Sequence, residues 1–488
     1  MRRWIVLSVL FFLLAGCAAG PDYVKPVVET PNAFKYDEAG TREAVNMVWW
    51  KQFQDPVLDA LINEALVNNK NIKIAAANMQ QAAAVVMQTR SPLFPQFGYS
   101  GSAGRKRLSG LEGTPLSNFV ENPQNSYQAF ISASWEIDLW GRIRRLTESA
   151  EADLHASEAQ WRGTILSLVA MVANDYIQLL GLDEQLAVSK RNMAAYAESV
   201  KIFELRFKYG MVSQMNVEQT RAQYETVAAA IPQIESQIAQ TEHALSVLLG
   251  RNPGPIKRGK TIYELQLPPV PSGLPSEILI NRPDIQEAEQ SLISANAQIG
   301  AARALYFPTI SLTGAYGNSS ADLSDLFKGP ANAWSYVGSL TGPIFAGGAI
   351  TGQVNRAEAA QKAALHNYEL AIQNSFADVE DSLVIRKKLV EQIEAQERLV
   401  KANSEYTRLA RLQYEGGYAP YSTVLQAEQM LFPSEINYVQ YRSSAFIALV
   451  NIYKAMGGGW LAEAQRLTVK EGSESPVDGT KSSKEKSQ

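Results

Sequence analysis

From Arg142 to Tyr209 the chain contains no proline and few glycines, and its large apolar residues fall at helical spacing. Trp161, Ile165, Leu168, Val172, Tyr176 and Leu179 step by four, three, four, four and three, which draws one apolar stripe of heptad type along a helix. At 1.5 Å per residue such a helix is a rod of about 100 Å. A rod of that length does not fit inside an ordinary compact domain, so the prior of about one domain per 150 residues fails for these 488. Leu365, Tyr368, Ile372, Phe376, Val379 and Leu383 draw a second stripe of the same kind.

The two stripes belong to an internal duplication with a period of about 207–213 residues. Phe94-Pro95-Gln96-Phe97 recurs as Phe307-Pro308-Thr309-Ile310, and Leu139-Trp140-Gly141 is echoed by Ile344-Phe345-Ala346-Gly347. Phe207-Lys208-Tyr209-Gly210 matches Tyr414-Glu415-Gly416-Gly417. Val217-Glu218-Gln219 matches Val424-Leu425-Gln426, and Leu248-Leu249-Gly250 matches Ala455-Met456-Gly457. Each half therefore reads as helix, two strands, very long helix, tip and returning helix. We expect a first repeat over 58–252 (strand hairpin 94–138, tip 207–215) and a second over 277–460 (hairpin 307–346, tip 414–422). The proline-rich stretch 253–276 joins them as an extended linker. Residues 461–488 form a C-terminal segment, disordered from about 471 by its Ser, Lys, Glu and Gly content. Pro232 and Pro433 stand inside the returning helices, as tolerated bends or as hinges.

The segments between helices change period. Tyr127, Ala129, Ile131, Ala133, Trp135 and Ile137 alternate with Ser126, Gln128, Ser132, Ser134 and Glu136, Phe130 being the exception. Phe97, Tyr99, Gly101 and Ala103 alternate with glycine and serine. Ile310, Leu312, Gly314 and Tyr316 face one way, as do Trp334, Tyr336, Gly338, Leu340 and Ile344. Strands of this length, greasy on one side and wet on the other, suit a lipid-facing barrel, although a soluble sandwich edge would alternate likewise. Four strands cannot close a transmembrane barrel, whose smallest form has eight, and open edges cannot face lipid. Several chains would have to share one barrel: two give eight strands, three give twelve.

Residues 1–16 read as an export signal. Arg2 and Arg3 precede an apolar run too short to span a bilayer comfortably, and Leu14-Ala15-Gly16-Cys17 closes it. Cys17, the only cysteine, resembles the acylated residue of a bacterial lipobox; the alternative is a chance Cys in an ordinary signal peptide. Residues 17–57 would then form a lipidated N-terminal segment. Ala18 is not the Asp of an inner-membrane retention signal, which favours the outer membrane. With 45 basic against 49 acidic residues and no long basic block, a nucleic-acid partner is not expected. One Cys and three scattered His (His155, His243, His366) argue against a metal site, and no G-x-S-x-G or H-E-x-x-H pattern supports an enzyme.

With these features, the chain resembles a TolC-like outer membrane factor, in the lipoprotein (NodT/OprM-like) branch of resistance-nodulation-division (RND) efflux systems. The resemblance rests on Leu14-Ala15-Gly16-Cys17 with Gly20-Pro21-Asp22-Tyr23, on Trp49-Trp50, Phe53 and Asp55-Pro56, on Asn281-Arg282-Pro283-Asp284-Ile285, and on Met456-Gly457-Gly458-Gly459-Trp460. It implies a mixed fold: a transmembrane β-barrel built from four strands per chain, twelve in a homotrimer, continued by a long antiparallel helical tunnel in the periplasm. It further implies a passive exit duct for drugs or other small toxic compounds, opened at its periplasmic tip by an adaptor (membrane fusion) protein and an inner-membrane RND pump. The duct has no catalytic residue, cofactor or metal of its own. A duct for type I protein secretion or for metal efflux is the alternative.

The resemblance also assigns sites. Cys17 carries the lipid that tethers the chain to the outer membrane. Lys208, Tyr209, Gly210, Glu415, Gly416, Gly417 and Tyr418 are the tip residues an adaptor would meet. The family's acidic pore-lining positions fall on Thr423 and Gln426, which are neutral here, and Glu428 is the nearest carboxylate beyond them. Tyr414 keeps a latch hydroxyl whose expected partner position holds Asn216. A neutral Tyr414–Asn216 bond would make a weakly electrostatic, weakly pH-sensitive latch of about 1 kcal/mol.

Overall fold

A computed structural model of the chain describes residues 18–31, 33–36, 48–107, 109, 123–266, 268, 270 and 275–457. Cys17, the export signal and the C-terminal tail lie outside the described residues. The helices are α1 (Pro56–Asn68), α2 (Lys70–Arg90), α3 (Arg142–Lys208), α4 (Gln214–Leu248), α5 (Pro275–Asn281), α6 (Pro283–Ala304), α7 (Ala349–Glu415) and α8 (Tyr421–Ala455). The strands are β1 (Gln96–Lys106), β2 (Gln124–Ile137), β3 (Thr309–Ser320) and β4 (Asn332–Thr341). The duplication is kept to the residue in the helices: α3 and α7 are both 67 residues long, and α4 and α8 are both 35. Both returning helices continue through their prolines. Pro232 and Pro433 do not occupy equivalent places in the two repeats.

The chain divides into two compact units. One contains Asn78–Ser157 and Glu287–Glu369 with the stretch ending at Val27. The other contains Val28–Ala77, Glu158–Gln286 and the residues from Leu370 onward.

In the first unit the described strands form one antiparallel sheet in the order β1-β2-β3-β4. Its register lines up the two side-chain classes. Tyr99 pairs with Ile131, Ile131 with Tyr316, and Tyr316 with Trp334, so one row across all four strands is wholly apolar. The neighbouring row, Gly98, Ser132, Ala315 and Ser335, is small and polar. Directly paired residues share a face, so the alternation in sequence becomes two chemically distinct faces. Phe130, the exception, pairs with Gly317, where an added β-carbon would fall 2.1 Å from the Ala129 carbonyl oxygen and 2.8 Å from the Phe130 ring. The ring fills the space that the glycine leaves. β4 stops at Thr341, so Ile344 lies beyond the strand rather than on its apolar face.

The junction from β2 into α3 is tightly built. Asp138 accepts from the backbone N–H groups of Ile143 (3.0 Å) and Arg144 (2.9 Å), capping the start of α3. Trp140 stacks on Phe307 at 4.6 Å and donates to the Pro308 carbonyl at 2.7 Å, joining the two repeats. The N-terminal stretch is strapped over this place. The Ala19 N–H donates to the Trp140 carbonyl at 2.9 Å, and Asp22 pairs with Arg145 at 2.6 Å. Gly141, at φ +77°, lies under Ala18, so closely that a β-carbon would come within 2.9 Å.

The core of the second unit explains two of the family motifs. Trp49, Trp50 and Phe53 are fully buried; Trp49 stacks on Tyr453 at 5.4 Å and Phe53 meets Phe446 at 6.0 Å. Asp55 ends this cluster as the N-cap of α1, accepting from Val57 N–H at 2.9 Å. Its other oxygen accepts from the Tyr176 hydroxyl at 2.7 Å and from Lys260 N–H at 3.1 Å. Arg282, also buried, donates to Asp284 and Asp378 and to the Ala455 carbonyl, closing the end of α8. The α3 stripe forms part of the same core, with Ile165, Leu168, Val172, Tyr176 and Leu179 all buried.

Asp55→Ala removes the cap and takes away the acceptor of the Tyr176 hydroxyl and of the Lys260 N–H, the Tyr176 oxygen keeping only the Gly259 N–H. We expect a loss of about 2 kcal/mol or more, measured as a drop in the thermal unfolding midpoint in detergent. Asp55→Asn, which keeps the cap acceptor, should lose less.

Candidate functional site

The two tips are built alike. After α3, Gly210 adopts φ +72°, its N–H donates to the Phe207 carbonyl at 2.8 Å, and the Met211 N–H donates to the Arg206 carbonyl at 2.8 Å. After α7, Gly417 adopts φ +79°, its N–H donates to the Tyr414 carbonyl at 3.0 Å, and the Tyr418 N–H donates to the Gln413 carbonyl at 2.8 Å. These are paired Schellman closures, each with glycine in the left-handed position. Ser213 and Pro420 stand at the N-cap positions from which α4 and α8 return.

The side chains are less symmetric. Arg206 and Lys208 occupy the last turn of α3, where cations suit the helix C-terminus, whereas the last turn of α7 has no basic residue and ends in Glu415. Exposed apolar groups crown both tips: Phe207, Tyr209, Met211 and Met215 on the first, and Tyr418 on the second. All seven expected docking residues (Lys208, Tyr209, Gly210, Glu415, Gly416, Gly417 and Tyr418) are exposed.

Behind the tips a small core holds the two helical hairpins of one chain together. Phe203, Val217, Ala410, Tyr421, Val424 and Ala427 are buried in it. The Phe203 ring packs on Tyr421 at 4.1 Å and stacks with Tyr414 at 6.0 Å. Burial pushes the Tyr421 hydroxyl up to about 12.

The expected Tyr414–Asn216 pair is replaced by other bonds within the chain. Arg206 of α3 donates to the Tyr414 hydroxyl at 2.9 Å and lies over the Tyr414 and Phe203 rings at 5.5 and 5.8 Å. Asn216 accepts from the Ser213 hydroxyl at 2.6 Å. The bond across the seam is therefore cation-assisted, not neutral, and it involves α3, where the resemblance pointed to α4. Further bonds cross from α3 to α8: Asn192 donates to Glu435 at 2.9 Å, and the Tyr196 hydroxyl to the Glu428 carbonyl at 3.4 Å.

The three gate candidates on α8 separate by exposure. Gln426 is exposed, Thr423 is half-buried and Glu428 is buried. Glu428 thus offers no free carboxylate beside Gln426, contrary to the expectation that it might line the opening. Its Oε1 accepts from Arg411 at 2.6 and 3.2 Å. The period of α8 turns position 428 inward with Tyr421 and Val424, a signal that spacing from Gln426 alone did not reveal.

Comparison with known proteins places this geometry. Residues 61–251 and 274–458 each match the family described as outer membrane efflux protein. The chain is 35% identical over 484 residues to a probable efflux pump outer membrane protein, TtgC, of Pseudomonas putida, covering 97% of this chain and 99% of that one. It is 33% identical over 453 residues to the cation efflux system protein CusC of Escherichia coli, covering 92% and 96%. Among solved structures it resembles the CmeC outer membrane channel of Campylobacter jejuni, with a TM-score of 0.85, 26% identity, and coverage of 93% of this chain and 98% of that one.

Gly210 and Gly417 have open space around the missing β-carbon, so alanine there meets only backbone strain. Gly210→Ala and Gly417→Ala should each cost about 1 kcal/mol of local stability, read as faster amide exchange confined to the mutated tip. The two effects should be nearly equal.

Proposed function

This chain belongs to the outer membrane efflux protein family and is an outer-membrane exit duct, and from that premise we propose that three copies form the duct of a tripartite RND-type pump. The observation that carries the proposal is the four-stranded sheet, apolar on one face, small and polar on the other, with β1 and β4 each paired on one side only. Twelve strands from three chains satisfy both edges of every sheet, with the Tyr99–Ile131–Tyr316–Trp334 row toward lipid and the serine row toward the passage.

The tips are the end that a periplasmic adaptor and the inner-membrane pump engage. Their backbones are equivalent, but one is basic and the other carries Glu415, so an adaptor meets two chemically different sites on each chain. Gln426 is an exposed polar group close to the second tip and narrows the passage there with Thr423 behind it. The Arg206–Tyr414 bond holds the α7–α8 hairpin against α3–α4 in the resting state. A diacylglycerol on Cys17 anchors the strap that precedes Gly20. The relatives named above are components of efflux systems rather than enzymes, and the duct supplies a path, not a reaction.

Cargo follows from the pump. A relative named for a cation system and one named for an efflux pump stand at nearly the same identity to this chain, which gives cation export as the second reading. Accumulation of a fluorescent pump substrate should rise when the gene is deleted and fall again when it is restored. A deletion strain with unchanged dye accumulation but raised sensitivity to metal cations would favour the second reading.

The seam makes an ordered prediction for single-channel conductance in planar bilayers. Tyr414→Phe loses one hydrogen bond but keeps the ring beneath Arg206; Arg206→Gln loses the ring contacts and the charge as well. Resting conductance should increase modestly in the first and more in the second. Wild-type conductance in both would remove this seam from the gate.

A further inference from the structure

Glu428 lies about two turns into α8, where a free charge is expensive. Its side chain is 3% exposed. One oxygen is bonded to Arg411 of α7, whose own side chain is about half exposed and so keeps much of its hydration. The other oxygen, Oε2, is buried with no hydrogen-bond partner among the described residues. Among the described residues no second cation acts on it. From α3 it faces Tyr196, and along α8 it has Tyr421 on one side and Glu435 on the other. Both tyrosine hydroxyls are held by uncharged groups of α4, Gln223 and Thr220. The carboxylate is thus buried, half-paired and flanked by two tyrosines.

Two opposed effects act on it. Arg411 favours the charged form; loss of water favours the neutral one. Burial is the larger, and it holds the Glu428 carboxyl above the usual carboxylate range in spite of the ion pair. A group whose proton is bound more tightly in the packed state stabilises that state below its ordinary pKa and loses that contribution as pH rises through the packed-state value. Protonation therefore favours the packed tip, and ionisation disfavours it.

We propose that Glu428 is a release group built into the tip: ionised, it opposes the packing of α8 on α7 and α3, and parting of these helices gives up a proton to the periplasm. This rests on the tips being the moving end of the duct. Thr423 and Gln426 carry no titratable group, so at this level of α8 the proton dependence resides in a carboxylate inside the wall. The coupling makes closure tighter in acid and opening easier toward neutral pH. Arg411 limits the effect rather than causing it, because it partly compensates the buried charge.

The two partners should then respond in opposite directions, unlike an ordinary stabilising ion pair. The test is amide exchange of residues 421–430 in the full-length protein in detergent, corrected for the intrinsic pH dependence of exchange and compared between about pH 5.5 and pH 7.5, a window above the ordinary glutamate value. In wild type, protection should increase several-fold on acidification. Glu428→Gln, which keeps shape and loses charge, should be more protected than wild type at the upper pH and nearly flat across the window. Arg411→Gln, which strands the charge, should be less protected at the upper pH and steeper; Arg411→Lys should stay near wild type. Equal loss of protection in Glu428→Gln and Arg411→Gln would overturn the proposal and make the pair a simple brace. So would a wild-type pH dependence that survives in Glu428→Gln. Exchange is read without transport, so a failure of the duct assignment would appear in dye accumulation and leave this readout unaffected.

Discussion

An unpaired peptide group in hydrocarbon costs several kcal/mol, and the β1 and β4 edges of a single chain each present a row of them. That cost governs the rest of the molecule. It makes a lone copy untenable in lipid and requires other copies of the same sheet. It confines irregular backbone to the ends of the strands, where Asp138, Trp140 and the N-terminal strap satisfy the polar groups of the junction. The helices have no such dependence, since each pairs its own backbone, and they can extend to 67 residues without a neighbour supplying hydrogen bonds.

The duplication appears in the fold as a repeated set of backbone decisions rather than as repeated side chains. Gly210 and Gly417 close the tips, and Gly250 and Gly457 end the returning helices, all in left-handed conformation and in matching places. Side chains between these fixed points have diverged. The first tip is cationic where the second is not, and the helix prolines no longer coincide. A glycine required by φ resists replacement on conformational grounds; a surface charge or a tolerated proline has no comparable constraint.

The parts of the structure legible in sequence are those set by local periodicity. Alternation from Tyr127 to Ile137 gave the two faces of the sheet, and the stripe from Ile165 to Leu179 gave the buried side of α3. The long helices and their glycine reversals followed from the absence of proline and the matched motifs. The seam between hairpins was not legible. Tyr414 could be recognised as a hydroxyl in need of a partner, but whether that partner came from α3 or α4 depends on how the two hairpins are rotated. Phe203 and Tyr421 set that rotation by packing, from positions far apart in the chain. Glu428 was misplaced for a related reason. Its distance from Gln426 is short along the chain, yet two residues turn an α-helix through more than half a revolution and exchange its wet side for its dry one.

The strap at the start of the described chain bears on how any lipid on Cys17 would act. Ala18 rests on Gly141, and the next residue is bonded to the Trp140 carbonyl, so the chain is fixed one residue after the cysteine. Neighbouring α-carbons are 3.8 Å apart, which leaves almost no slack. An acyl group attached just ahead of this strap would be a depth gauge more than a leash: it would register the height of the protein against the bilayer, and a lengthened strap would keep the tether while losing the level.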